Sequence, residues 1–553
     1  MPLTFPHFEP TFPRSQWTLP QVLRLQVQRR GSSTFLSFPM TGESWTYTET
    51  ERRCNRLANG FRASGVVRGD YVGLLLPNCP EFVFAWFGLA KLGAAEVAIN
   101  TAYVGELLAH PLKLSGARVL LSNAELALRL VDIEADVPGL ETIYLVGDTA
   151  ALANIQRRFA RIVVQSFSAL ESVDDRDPGV NVQPGDVAAV LMTSGTTGPS
   201  KGVVMRHSHM YFFAEEDVQL MRLAADDTYM TGFPLFHGNA QFLTVYPCLI
   251  AGAHCALYPR FSASDWSRRA VECGATVTNL LGATMAFILD KPAAPEDRRH
   301  GVRRIYAAPL APNLAARFTE RFGVSEYLDG FGQTEISNIF MTPPGKSRPS
   351  GSSGVLVDQW FEAQLADSDT GEPVSLGQAG ELWIRPKVTG IVAFEYLGMP
   401  ECTVEAWRDL WFHTGDMMRV DAEGWYYFVD RVKDALRRRG ENISSFEVER
   451  AILSHPTVSQ CAVIGVRADE DAGEDEVMAY VVVHPSARAD ASVLWEHCDR
   501  ELPEFMRPRY LEFVDALPTT ATEKVRKKEL RERGIGPTTQ DRNQTRDAFL
   551  KAI

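Results

Sequence analysis

Short apolar runs alternate with longer amphipathic stretches along most of this chain. The runs "YVGLLL" from Tyr71, "RVLLSN" from Arg118, "TIYLVG" from Thr142, "RIVVQS" from Arg161 and "DVAAVLM" from Asp186 are too short for helices and predict buried strands. After the turn "PNCP", the segment "EFVFAWFGLAKLG" from Glu81 predicts a helix with little polar surface. Strands alternating with helices predict mixed α/β layers. Near the far end, "EVERAILSHPTVSQCAVIGV" and "EVMAYVVVH" predict a compact helix–strand–strand unit of about 120 residues, the size of a small domain. A boundary is expected near Asp430–Asp434. The expected fold class is α/β: a large N-terminal region of several subdomains over 1–430, a hinge at 431–434, and a small mobile α+β domain over 435–553.

The apolar pattern also excludes several classes. No stretch of about 18 uncharged apolar residues occurs, so a membrane span is not expected. The best attempt, Tyr71 to Asn100, is interrupted by Glu81, Lys91 and Glu96. The N-terminus carries prolines and no apolar core segment of a signal peptide, and a cytoplasmic location is expected. With 553 residues, 45% of them hydrophobic, the chain can build two to four domains and a large core. A net charge of −13 argues against a nucleic-acid surface. The eight cysteines are scattered without a C-x-x-C pair and read as ordinary buried thiols. The polar tail after Gly536 is expected to be mobile.

One polar stretch stands between two apolar ones: "LMTSGTTGPSKGVVMRHSH", Leu191 to His209. It is not the P-loop of an ordinary NTPase, because Gly195 is followed five positions later by Ser200, and Lys201 by Gly202. Its chemistry still suits phosphate. Glycines let backbone N–H groups approach an anion, Ser194, Thr196 and Thr197 add hydroxyl donors, and Lys201 adds a positive charge. A surface turn is the bland alternative; the rigid flanks favour a binding loop. Four further segments carry candidate chemistry: "YLDGFGQTE" from Tyr327, with an acid just after a Gly-rich turn; "LWFHTGDMM" from Leu410, with Asp416 after a Thr-Gly turn; "YYFVDRVKD" with Arg431; and "LPTTATEKVRKKEL" with Lys524. Each alone reads equally as a turn residue or a solvated charge.

Together and in this order, these five motifs resemble the adenylate-forming superfamily of acyl-CoA synthetases, peptide-synthetase adenylation domains and luciferases. The resemblance runs from about Trp45 to Leu530 and is greatest to the crotonobetaine/carnitine-CoA ligase branch. It implies ATP, Mg²⁺ and coenzyme A as ligands, with a small carboxylic acid as the other substrate. Thr193, Ser194, Gly195, Thr196, Thr197, Gly198 and Lys201 would embrace the pyrophosphate end of ATP. Ala307, Ala308 and Pro309 would line the adenine, where the family more often has two glycines. Asp329, Gly330, Phe331, Gly332 and Gln333 would lie along the base. Thr334 would reach the α-phosphate, and Glu335, with Thr196, would hold the metal. Asp416 would accept both ribose hydroxyls, helped by Arg431. Lys524 would stand between the substrate carboxylate and the α-phosphate, although Glu523 occupies the position where the family commonly has glycine.

The chemistry explains the cations: a carboxylate attacks a phosphate, two anions meet, and charge must be neutralised there. "FPLFHGNAQF" would form the mouth of the acyl pocket, with His237 gating the carboxylate end and Asn239 and Gln241 polar where a fatty-acid tunnel would be apolar. Gly282 and Thr284 in "LLGATMAFIL" would form another wall. Arg439, Gly440, Glu441 and Asn442 match the loop that lines the pantetheine tunnel, and Lys433 matches the hinge. The resemblance implies an AMP-forming acyl-CoA ligase. An acyl-AMP ligase loading a carrier protein, a non-catalytic nucleotide- or acyl-binding relative, and a homodimer stay open.

Overall fold

The computed structural model describes residues 2–147, 150–193, 200–308, 310, 312–367, 370–432, 436–438, 441–443, 445–466, 476–485, 487–502, 504–519 and 525–543. Two compact units divide the chain. One comprises Met1–Glu362, Arg385–Phe412 and Glu423–Tyr426; the other comprises Ala363–Ile384, His413–Ala422 and Tyr427–Ile553.

The first unit is layered α/β, and among the described residues two large sheets lie wholly within it. One runs, strand by strand across the sheet, from Glu395–Tyr396 through Lys201–Arg206, Val187–Thr193, Ala95–Ala98, Tyr71–Leu75, Val119–Asn123 and Thr142–Val146 to Val163–Ser166. From Val187–Thr193 onward neighbouring strands are parallel. Strands covered on both faces read as continuous apolar runs, which makes Tyr71–Leu75, Val119–Asn123, Thr142–Val146 and Val187–Thr193 visible in the sequence; Val163–Ser166, at the edge, is partly exposed. The second sheet is centred on the parallel strands His254–Leu257, Thr228–Thr231, Val277–Leu280, Arg304–Ala307 and Glu326–Leu328.

The helix expected after "PNCP" spans Pro80–Leu92, with Pro80 at its first position, where the missing N–H costs nothing. It ends at Gly93 in the left-handed conformation. Lys91 on this helix is 2% exposed. Its ammonium lies 3.3 Å from both Glu51 and Asp177, the pairing that a buried charge requires.

In the second unit, the helix Ser445–Leu453 precedes the antiparallel strands Val458–Val466 and Glu476–Val483. Tyr510–Phe513 adds in parallel, and the helix Ala491–Glu501 joins the same core. One expectation is corrected here. The chain after Gly536 is tied down as far as it is described: Gln540–Asp541 pairs with Leu511 and Tyr510, and the Arg509 guanidinium reaches both Asp541 oxygens at 3.1–3.2 Å. A polar composition did not reveal that fork. Among the described residues, no helix is long and apolar enough to cross a membrane.

Candidate active site

The Gly/Ser/Thr-rich loop itself, 194–199, lies outside the described residues, but both of its stems are defined. Val187–Thr193 and Lys201–Arg206 are antiparallel neighbours, and Thr193 stands opposite Lys201 with its hydroxyl 3.4 Å from the Lys201 carbonyl. The segment after the loop is therefore a strand. A P-loop would lead directly into a helix, whereas here the helix His207–Met221 starts only after the strand.

"YLDGFGQTE" was expected to place an acid after a Gly-rich turn. It is instead a hairpin. Gly330–Gln333 pairs antiparallel with Ser337–Met341, and Thr334, Glu335 and Ile336 make the turn. Gly332 is required in the strand, because a Cβ there would stand 1.9 Å from the Ser337 carbonyl oxygen. Ser337, fully buried, adopts φ +63°, a conformation costly for a residue with a side chain. The hairpin is braced from behind: the Asn338 N–H donates to the Glu216 carboxylate at 3.0 Å, from the helix His207–Met221. Burial raises the Glu216 carboxyl well above its usual range.

The segment Ile391–Leu397 braces the hairpin from the side. Ser337 Oγ donates to the Ile391 carbonyl, the Ala393 N–H donates to the Glu335 carbonyl at 2.8 Å, and the Tyr396 hydroxyl donates to Glu335 Oε1 at 3.0 Å. Two residues of this segment, Glu395 and Tyr396, pair with Val204 and Val203, next to Lys201. The Lys201 ammonium sits 4.4 Å from the centre of the Tyr396 ring. Lys201 and Glu335, far apart in sequence, thus share one tyrosine. Nothing in the "FEYLG" context singles that residue out. Glu335 is a half-buried hard-oxygen donor, and among the described residues no group of three metal-ligating side chains forms. Magnesium fits such a site, since it takes one or two carboxylates and draws its other ligands from phosphate and water. Thr196, the other expected metal contact, lies outside the described residues.

The Asp329 side chain turns into the protein. Its carboxylate is 4% exposed; it meets Arg348 at 2.9 Å and accepts the Leu310 N–H at 3.2 Å. Arg348 also donates to the Leu310 and Ser352 carbonyls. Burial pushes the Asp329 carboxyl up to about 7, opposed by Arg348 and by backbone N–H groups. The side chain fixes the backbone beside Ala307 and Ala308. Ala307 ends the strand Arg304–Ala307, opposite Leu280, and Pro309 lies outside the described residues.

The proposed acyl segment buries a polar side chain among apolar ones, beside Leu235, Phe236, Ala240 and Phe242. Gln241 is 0% exposed and donates to the Leu235 carbonyl at 2.7 Å. It opens a π-helical turn, Gln241–Val245, a distortion frequent at functional sites. The Asn279 amide donates to Asn239 Oδ1 at 2.5 Å and to Thr244 Oγ1 at 2.9 Å. Asn279 belongs to the buried strand Val277–Leu280, and its apolar surroundings hid it from the sequence reading. His237 precedes the turn with its ring 4.7 Å from Phe236. Thr284 is committed locally: its hydroxyl donates to the Leu281 carbonyl and accepts the Leu281 N–H, so it starts the helix Gly282–Leu289.

In the second unit, the structure brings Asp416 and Arg431 together at 3.1 Å. Asp416 lies inside the strand Phe412–Val420 and is 1% exposed. The expected Thr-Gly turn is a kink within that strand, with Gly415 at φ +69°. The "RRRGENIS" segment forms a hairpin of Leu436–Arg438 against Glu441–Ile443. Arg439, Gly440, Lys433 and Lys524 lie outside the described residues, and only the backbone of Glu441 and Asn442 is described. In the lysine run after Lys524, Lys527 is no solvated charge: it meets Glu449 at 2.8 Å and the Ser445 hydroxyl at 2.5 Å.

The family model for AMP-binding enzymes matches residues 23–391, and that for the AMP-binding enzyme C-terminal domain matches residues 447–524. The chain is 33% identical over 492 residues to a crotonobetaine/carnitine–CoA ligase of Salmonella paratyphi A, covering 88% of this chain and 93% of that protein. Among solved structures, an anthranilate CoA ligase in complex with anthranoyl-AMP superposes with a TM-score of 0.84 at 27% identity, over 94% of this chain and 98% of the other. A Mycobacterium tuberculosis fatty acyl CoA synthetase does so with a TM-score of 0.70 at 27% identity, again over 94% and 98%. With both halves of the family matched and the relatives spanned nearly end to end, the chain belongs to the AMP-binding enzyme family, as one of its ATP-dependent acyl-CoA ligases.

Proposed function

We propose that this enzyme activates a polar, non-fatty carboxylic acid as its acyl adenylate and passes the acyl group to coenzyme A. The acid is the finer question. The relatives include ligases named for carnitine and anthranilate and a fatty acyl CoA synthetase, so membership of the family leaves its class open. The observation that carries the reading is the polar set at the acyl segment: buried Gln241, and half-buried Asn239 hydrogen-bonded through Asn279 to Thr244. Asn239, the half-buried member of this set, offers a polar acid a further hydrogen-bonding group, which an alkyl chain has no atom to meet.

In this reading Lys201 and the loop amides hold the pyrophosphate end of ATP, and Asp416 with Arg431 holds the ribose. A carboxylate suits the ribose because it only accepts hydrogen bonds. Lys524 neutralises the meeting of the acid with the α-phosphate. Bound Mg²⁺ would supply positive charge to the phosphate oxygens, with Glu335 as its protein ligand. Positioning and electrostatics then carry the rate. The cytoplasmic location and the homodimer read from the sequence belong to the same proposal. A pyrophosphate-release screen over a panel of acids, with and without coenzyme A, tests it. Short acids bearing hydroxyl, amide or amino groups are expected to lead, and faster release with long saturated acids overturns the reading.

A further inference from the structure

We propose that Tyr396 is a positioning residue for adenylation: its hydroxyl orients the Glu335 carboxylate while its ring seats the Lys201 ammonium. The inference rests on the reading of Glu335 as the metal-holding and Lys201 as the phosphate-holding group, and adds the residue that ties them together.

Three observations carry it. First, the geometry is bidirectional. The Tyr396 hydroxyl lies 3.0 Å from Glu335 Oε1, and the Lys201 ammonium lies 4.4 Å from the centre of the same ring, within the range of a cation–π contact. One rigid side chain with two rotatable torsions therefore serves two groups that must approach one triphosphate. Second, the tyrosine is itself held. It is 7% exposed, its strand pairs with Val203–Val204, and the Leu397 N–H donates to the Gly202 carbonyl at 2.8 Å, directly beside Lys201. Third, the hairpin it touches is fixed at two further points by the same segment, through Ile391 and Ala393, and carries the strained Ser337 just after its turn. Strain of this kind persists only where the surroundings over-determine it, and it clusters at sites that need preorganised groups.

The two contacts separate chemically. Tyr396→Phe removes the hydroxyl and keeps the ring; Tyr396→Leu removes both. Calorimetric ATP binding, measured with and without Mg²⁺, reads them apart. For Tyr396→Phe, metal-free ATP is expected to bind within about twofold of wild type, while the gain in affinity on adding Mg²⁺ falls about tenfold, the size of one lost hydrogen bond to a charged group. For Tyr396→Leu, metal-free binding is expected to weaken as well, by roughly three- to tenfold, as Lys201 loses its platform. A merely structural tyrosine would lower the melting temperature and both affinities together. Glu335→Gln serves as the reference. If it abolishes the Mg²⁺-dependent gain and Tyr396→Phe leaves that gain intact, the proposal is overturned while the reading of Glu335 stands. If Glu335→Gln leaves the gain unchanged, the reading of Glu335 fails and the proposal falls with it. Should Tyr396→Leu not fold, the Tyr396→Phe comparison decides alone.

Discussion

Arg348→Met should destabilise the protein in a manner that depends on pH, and the structure sets both the size and the sign. Arg348 is the cation facing the buried Asp329 carboxylate at 2.9 Å, and it donates to the Leu310 and Ser352 carbonyls. Even with Arg348 present, burial raises Asp329 to about 7, above the unfolded value of about 3.9. A raised carboxylate favours the neutral form in the folded state, so Asp329 binds a proton in the native protein that the unfolded chain has released. Native stability from this group therefore falls as pH rises from about 4 to about 7, and then levels off once the folded protein also ionises.

Without Arg348 the folded value climbs further, and the levelling is postponed. At pH 6 Asp329 is mostly protonated in both proteins. The variant then loses mainly the guanidinium's hydrogen bonds to two carbonyls, roughly 1–3 kcal/mol together. At pH 8.5 the wild type has ionised and the variant has not. One and a half pH units at about 1.36 kcal/mol each add about 2 kcal/mol to the loss. Urea unfolding of both proteins at pH 6 and pH 8.5, followed by tryptophan fluorescence, measures the difference, and common effects of pH cancel in the comparison. Equal losses at the two pH values would refute the assignment of Asp329 as a buried, Arg348-dependent carboxylate.

Asp416→Asn should weaken ATP binding by roughly 1.5–3 kcal/mol with little change in acid binding, read by calorimetry; an unchanged ATP affinity contradicts a ribose contact. Lys524→Ala should slow acyl-adenylate formation on the order of 10²–10³-fold and spare thioester formation from preformed acyl-AMP; equal damage to both steps contradicts a role confined to adenylation. Lys433→Pro should leave adenylation and suppress thioester formation, because proline fixes φ near about −65° where a hinge must swing. Single-turnover assays of each half-reaction check it, and parallel losses in both would reduce Lys433 to a linker lysine.

The apolar runs at Tyr71, Arg118, Thr142 and Asp186 became strands because a strand buried on both faces must be apolar throughout, and that is a property of local sequence; the run at Arg161 became the edge strand, with Val163 exposed. The five motifs, in order, were equally sufficient for the family. Asp416 pairs with Arg431, and Thr193 stands opposite Lys201, each contact being formed by segments the motifs themselves mark. Tertiary structure alone decided the rest. Tyr396 joins Lys201 to Glu335 across more than a hundred residues, Glu216 caps Asn338 from a helix, Arg348 turns Asp329 inward, and Asn279 carries a hydrogen bond inside an apolar strand. None of these side chains differs locally from an ordinary core or surface residue. Their roles follow from which partner the fold delivers within about 3 Å, and hydrogen bonding at that range is directional and blind to sequence separation.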